Sequence, residues 1–347
     1  MKRLIPFLVP VVGFFGLLGL GVAVPALSNV LNLALPFFGL IALGYMCGKL
    51  MDLPEAGLAW MNFFIVYVAL PALFFNLISA SPIAELANWG FIFSTTISTV
   101  AMFALAFGVG LWRNREVGAA TISGVAGSYS NIGYMGPGLT LAALGTQSVV
   151  PTALIFVADN IFLFSATPFL MGLRGTGTES GWATARLVIK RIITHPFNIA
   201  TAVGVAAAFF HWQPPASIGK MLSFLQNAAA PCALFVMGVT VALRPTQKMS
   251  VDVPVLLLIK LVMHPLLVWA VLSLVGGFSP VWTYTAILMA ALPPALNVFV
   301  MANQYSVFVE RASSVILIGT IVSVVTVTTL LYLIAGNKLP VNLFSLF

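Results

Sequence analysis

Charge is the scarcest commodity in this sequence. Of 347 residues only 7% are charged, with 15 Lys and Arg against 8 Asp and Glu, where a soluble chain carries roughly a quarter. At 61% hydrophobic residues there is too little polar surface to cover a water-soluble fold, whereas a bilayer accepts such a chain. The two cysteines, Cys47 and Cys232, sit inside apolar runs, which excludes a disulfide framework, a zinc site or a redox motif. Nucleophile elbows, phosphate loops and metalloprotease signatures are absent, so neither an enzyme nor a cofactor is expected. The formal charge of +7 is spread singly between apolar segments. That pattern orients membrane spans and does not point to nucleic acid.

What is present is a succession of apolar runs, each near the 20 or so residues that cross a hydrocarbon core. Ten spans are expected, near 30–49, 57–80, 88–111, 117–142, 147–173, 194–212, 217–243, 253–277, 281–305 and 309–335. Residues 1–26 carry Lys2, Arg3 and an apolar stretch; a signal peptide, an extra helix and an upstream start all fit. Basic residues follow the odd spans: Lys49, Arg113 and Arg115, Arg174 through Arg191, Arg244 and Lys248, and Arg311. By the positive-inside rule those loops are cytoplasmic. Both ends of the ten-span core then face outward. The loop 174–193 reads as a basic amphipathic linker between two groups of five spans, 27–173 and 194–347.

The groups resemble each other. At an offset of 160, Pro36, Phe37 and Gly44 match Pro196, Phe197 and Gly204, and Pro71 and Phe75 match Pro231 and Phe235. Further along, Asn131 and Met135 match Asn297 and Met301. Because five is odd, the second group enters from the opposite side, giving the inverted repeat of many secondary transporters.

Two spans are too broken to be plain helices: span 4 at Gly127-Ser-Tyr-Ser-Asn131-Ile-Gly-Tyr-Met-Gly-Pro137-Gly138, and span 9 at Ala291-Leu-Pro293-Pro294-Ala-Leu-Asn297. Proline removes a helical hydrogen bond, and the freed backbone is tolerated at membrane depth only inside protein or beside a wet cavity. A half-helix starting there presents N–H groups and a positive dipole end to an anion. Asn131 and Asn297 are expected to bind substrate, with Tyr129, Ser130, Gly133, Pro137, Pro293 and Pro294 shaping the site and Ser128 adding a hydroxyl. The bland alternative is that these residues only cap and pack broken helices. Asn62 and Asn227, which precede the matched prolines, are further lining candidates, ahead of Tyr67, Asn76 and Gln226.

Asp159, followed by Asn160, is the acidic residue deep in a span, and such a group marks ion coupling by default. A proton or sodium ion would be the coupled species, against a purely structural role. Lys260 is expected to snorkel toward the cytoplasmic surface, and His195 and His264, each before a proline, to be structural.

These motifs carry a resemblance. Asn131-Ile-Gly-Tyr-Met-Gly-Pro-Gly, Leu292-Pro-Pro-Ala-Leu-Asn297-Val-Phe-Val and Tyr305-Ser-Val-Phe-Val-Glu310-Arg311-Ala-Ser, with Leu35-Pro-Phe-Phe-Gly-Leu-Ile-Ala-Leu-Gly-Tyr45 and Leu70-Pro-Ala-Leu-Phe-Phe75, resemble the auxin efflux carrier family, particularly its bacterial branch, within the bile acid/auxin transporter superfamily. The resemblance covers the chain from about residue 27. It implies an all-α polytopic fold of ten transmembrane helices in two inverted five-helix repeats, with crossed broken helices 4 and 9 as in sodium/proton antiporters. It also implies a scaffold part and a transport part that move against each other. The expected function is secondary transport of a small carboxylate, such as malonate, malate or lactate, across a bacterial inner membrane. A sodium-coupled carrier like the bile-acid symporters, an exporter of a hydrophobic weak acid, and a carboxylate sensor are the alternatives. Partners are the substrate and the bilayer, with a homodimer left open.

Overall fold

The computed structural model describes residues 25–51, 55–173, 193–243 and 250–346, together with Arg186, Ile189 and Lys190. The N-terminal extension up to Val24 and most of the linker 174–193 lie outside the described residues. Among those described the chain is all-helical, without a named strand. In chain order the helices are α1 (Pro25–Leu50), α2 (Leu58–Ser79), α3 (Trp89–Asn114), α4a (Val117–Ser128), α4b (Gly136–Leu144), α5 (Val149–Gly172), α6 (Pro196–Phe209), α7 (Ala216–Leu243), α8 (Asp252–Val275), α9a (Pro280–Ala291), α9b (Asn297–Gln304) and α10 (Val309–Ala335). Six of the described helices are long and apolar enough to cross a membrane, and α4a, α6 and α9a are shorter apolar helices. With several apolar crossings in one chain, this is a polytopic membrane protein. Helix α1 starts at Pro25, two residues inside the segment set apart from sequence, because proline at the first helical position gives up no hydrogen bond.

Local chemistry fixes the ends. The Asn88 side chain accepts from the Phe91 N–H and starts α3, which stops where Arg115 turns left-handed at φ 53°. In α2 and α8 a π-helical turn, at Ile65–Ala69 and Ile259–Met263, runs into a proline, Pro71 and Pro265. A proline ring clashes with the carbonyl four residues back, and the widened turn relieves that clash without ending the helix.

With lipid on the outside, helices associate through close packing of small residues. Helix α1 meets α7 that way. A Cβ on Gly44 would overlap the Phe235 carbonyl, and one on Gly238 would overlap the Ile41 carbonyl, so only glycine lets the two backbones approach.

The faces of the bundle are marked by contacts between helix ends. Asp252, at the start of α8, pairs with Arg113 at the end of α3 (2.5 Å) and with Arg311 at the start of α10 (2.6 Å). Arg311 also donates to the Asn114 side chain at 2.6 Å. Three of the ends flagged as basic thus share one face. At the opposite ends of α3, α8 and α9a, Phe91 packs on Trp282 (4.8 Å), and the Tyr284 hydroxyl and Trp269 indole donate to the Leu339 and Val341 carbonyls of the C-terminal segment.

Candidate functional site

The helix breaks fall where glycine and proline predict them. Helix α4a stops at Ser128 and α4b resumes at Gly136; α9a stops at Ala291 and α9b resumes at Asn297. The two extended stretches run against each other as an isolated antiparallel bridge between Ser130 and Pro294. The Asn131 N–H donates to the Pro293 carbonyl at 2.8 Å, and the Ala295 N–H donates to the Tyr129 carbonyl at 3.0 Å. Each interrupted backbone therefore satisfies the other, which is how unwound chain survives away from water. Pro293 and Pro294 have no N–H to strand, and Pro137 sits in the first turn of α4b, where its missing donor costs nothing.

Side chains extend the crossing. The Tyr129 hydroxyl donates to Asn160 Oδ1 at 2.5 Å and accepts from Asn297 Nδ2 at 3.0 Å. The Ser130 hydroxyl donates weakly to the Ala290 carbonyl at 3.4 Å. Asn131 is 1% exposed, and its amide donates to the thioether of Met237 in α7 at 3.1 Å. Gly133 faces the Phe156 ring.

A cavity of about 310 Å³ opens beside the crossing, between α2, α5, α6 and α9b. Asn297 and Asn160 line its inner end. On α5 the lining residues Asn160, Phe164, Thr167 and Pro168 follow one helical face, as do Asn297, Val300, Met301 and Gln304 on α9b. Thr194, His195 and Asn198 at the start of α6 complete it. Asn160 Nδ2 and the Thr167 hydroxyl have no hydrogen-bond partner although the residues are 3% and 1% exposed. An unpaired buried donor is costly, and here both border a space where a ligand could satisfy them.

The structure thus brings Tyr129, Ser130, Asn131, Pro293, Pro294, Asn297 and Asn160 together at the crossing, but only Asn297 and Asn160 of these reach the cavity. Asn62 is half-buried on α2 with an unpartnered Oδ1, and Asn227 is exposed on α7; neither lines the cavity. Tyr67 does line it, whereas the Asn76 amide donates to Gln226 at 2.9 Å, tying α2 to α7. Thr167, Asn198 and Gln304 were missed, although their spacing from Asn160, His195 and Asn297 places them on shared helical faces.

Lys260 corrects the expectation. It does not snorkel: the residue is 0% exposed, and Nζ donates to the Ala290 carbonyl at 2.5 Å. That carbonyl lies in the last turn of α9a, the negative end of the helix dipole, which attracts a cation. Nζ also lies 3.4 Å from His264 Nδ1, and His264 Nε2 lies 3.4 Å from the Thr99 hydroxyl. Asp159, buried in α5 with Oδ1 unpartnered, faces Thr99 and Lys260. A polar network of Asp159, Thr99, His264 and Lys260 therefore backs the crossing, and none of the four lines the cavity.

Comparison with known proteins identifies the family. Residues 29–331 match the membrane transport protein family. A protein of Rhizobium meliloti (strain 1021) named "Putative malonate transporter" is 48% identical over 92% of this chain and 100% of its own length. An "Uncharacterized transporter" of Methanothermobacter thermautotrophicus is 25% identical over 83% of this chain and 92% of its own. "Auxin efflux carrier component 1" of Arabidopsis thaliana is 28% identical over 43% of this chain and 25% of its own. With that match across most of its length, the chain belongs to the membrane transport protein family that includes the auxin efflux carriers, and it is a multi-pass membrane transporter.

Proposed function

We propose that the protein is a secondary carrier moving a small carboxylate, of the kind represented by malonate, malate or lactate, across a bacterial inner membrane by alternating access. In this reading ten spans form two five-helix repeats, 27–173 and 194–347, inverted relative to one another and joined by the linker 174–193. A pair of contacts supports the inversion. Gly44 of α1 packs on the Phe235 carbonyl of α7, and Gly204 of α6 packs near the Phe75 carbonyl of α2. These are the residues matched at the offset of 160, with the roles of the two halves exchanged, as a two-fold relation requires.

The observation that carries the function is the cavity of about 310 Å³ that meets the crossing at Asn297. Its volume is at the small end of ligand pockets. Its inner end offers amide donors, with Asn160 Nδ2 unpartnered. With basic loops inside, the cavity-lining ends of α5, α6 and α9b lead to the cytoplasm. Asn297 is then open inward while Asn131, under Met237, is closed outward. Exchange of these two arrangements delivers the substrate across the crossing. Asp159 and Asn160 form the coupling region. The Lys260 amine faces Asp159, a pairing that suits proton rather than sodium coupling. The name of the Rhizobium relative supports a dicarboxylate substrate.

The test is counterflow of radiolabelled malonate and lactate in proteoliposomes. Asn297→Ala and Asn131→Ala are each expected to lower flux about tenfold or more, the loss of one hydrogen bond to a charged group, while remaining monodisperse in detergent. Full transport by both variants removes the site assignment. Ligand binding without flux favours the sensor.

A further inference from the structure

We propose that the cavity contains a second carboxylate subsite, built by His195, Thr167 and the start of α6, which makes the carrier select short dicarboxylates over monocarboxylates. This rests on the carrier reading above and deepens it. Along α5 the polar lining residues Asn160 and Thr167 are separated by Phe164, while Tyr67, Thr194, Gln304 and Tyr305 line the same cavity from other elements. At the crossing stand the Asn160 and Asn297 amides. One turn along α5, about 6 Å down the axis, the Phe164 ring packs against the His195 imidazole at a centroid distance of 5.6 Å. Val300 and Met301 of α9b line the cavity beside it. Past Phe164 on α5 the cavity is lined by the Thr167 hydroxyl, and at the start of α6 by His195 and Asn198.

Three features make this group an anion site. First, α6 begins at Pro196, so its leading N–H groups and positive dipole end lie beside the cavity-lining residues His195 and Asn198. Second, the Thr167 hydroxyl is unpartnered, nearly fully buried and borders the same space. Third, neither a carboxylate nor a lysine or arginine is among the described residues lining the cavity, so no described lining side chain repels an anion. His195 has an imidazole N–H to offer and is wedged by Phe164 and Phe197, whose ring lies 4.8 Å away. A ligand with anionic ends and a one- or two-methylene waist matches this polar, apolar, polar sequence. A monocarboxylate can satisfy only one end. Such a ligand also bridges α5 and α9b to α6, so its second carboxylate is recognised across the two sides of the cavity.

The experiment is competition in counterflow, with radiolabelled malonate and radiolabelled lactate run in parallel and unlabelled malonate, succinate, lactate and acetate as competitors. Wild-type protein is expected to favour dicarboxylates about tenfold or more, as one added charge-assisted hydrogen bond gives. His195→Ala should weaken competition by malonate and succinate about tenfold more than competition by lactate and acetate, erasing most of that preference. His195→Gln, which keeps an N–H donor, should restore part of it. Thr167→Val provides the same comparison should His195→Ala fail to yield monodisperse protein. The proposal is overturned if wild type moves lactate and malonate without preference, or if His195→Ala and Thr167→Val weaken both classes equally. Absence of counterflow with every carboxylate by monodisperse wild-type protein overturns the carrier reading itself.

Discussion

Replacing Lys260 by methionine probes the buried polar network behind the crossing. Methionine is one heavy atom shorter and removes the amine. Lys260 is fully buried, and Nζ donates to the Ala290 carbonyl. Losing that hydrogen bond and leaving the buried Ala290 carbonyl without it costs about 1–3 kcal/mol. The attraction to Asp159, which faces it without a direct ion pair, adds less than the roughly 4 kcal/mol of a contact pair at intermediate dielectric. Lys260→Met is therefore expected to lose about 2–5 kcal/mol. Asp159→Asn removes the charge left alone, so the double variant should be more stable than Lys260→Met. A coupling energy of about 1–3 kcal/mol is expected. Reversible unfolding in mixed detergent and SDS, run as a double-mutant cycle, measures it. Additive losses would show that the two charges do not act on each other, and the network would reduce to separate hydrogen bonds.

Two other expectations follow from packing and surface charge. Gly238→Ala places a methyl group on the Ile41 carbonyl at the α1–α7 seam; overpacking of a tight contact costs about 1–3 kcal/mol or more, visible as a lower midpoint in the same unfolding assay. An unchanged midpoint would mean the seam can spread. Asp252→Asn releases Arg113 and Arg311, whose side chains are 32% and 40% exposed. Screening limits such half-exposed pairs to about 1 kcal/mol each, so a loss of about 1–2 kcal/mol that shrinks in high salt is expected, and a loss insensitive to salt would point to packing.

Much of the fold was legible in the amino acids. Apolar runs of spanning length predict where helices lie. The glycines and prolines of 127–138 and 291–297 predict where two of them break, and the structure interrupts α4 and α9 at those places. Hydropathy reports depth in the membrane well because the bilayer penalises every exposed backbone group and charge. It reports poorly which way a side chain points around its helix. Lys260 illustrates the gap. Its distance from the helix end suggested snorkelling, but the π-helical turn and the carbonyl end of α9a hold it inward. Asn131 and Asn297 look equivalent in sequence, yet one is covered by Met237 and the other borders the cavity.

The order of residues along the chain determined the class of protein, the apolar helices, the basic ends and the two interruptions, since each depends on local composition and on the energetic demands of lipid. Tertiary structure alone decided that Tyr129 links Asn160 to Asn297, that Thr167 and His195 share a cavity, and that Asp159 faces Lys260. Those pairings join residues from different helices. They follow from how glycine seams and crossed backbones rotate the helices against one another, a degree of freedom that no single helix specifies by itself.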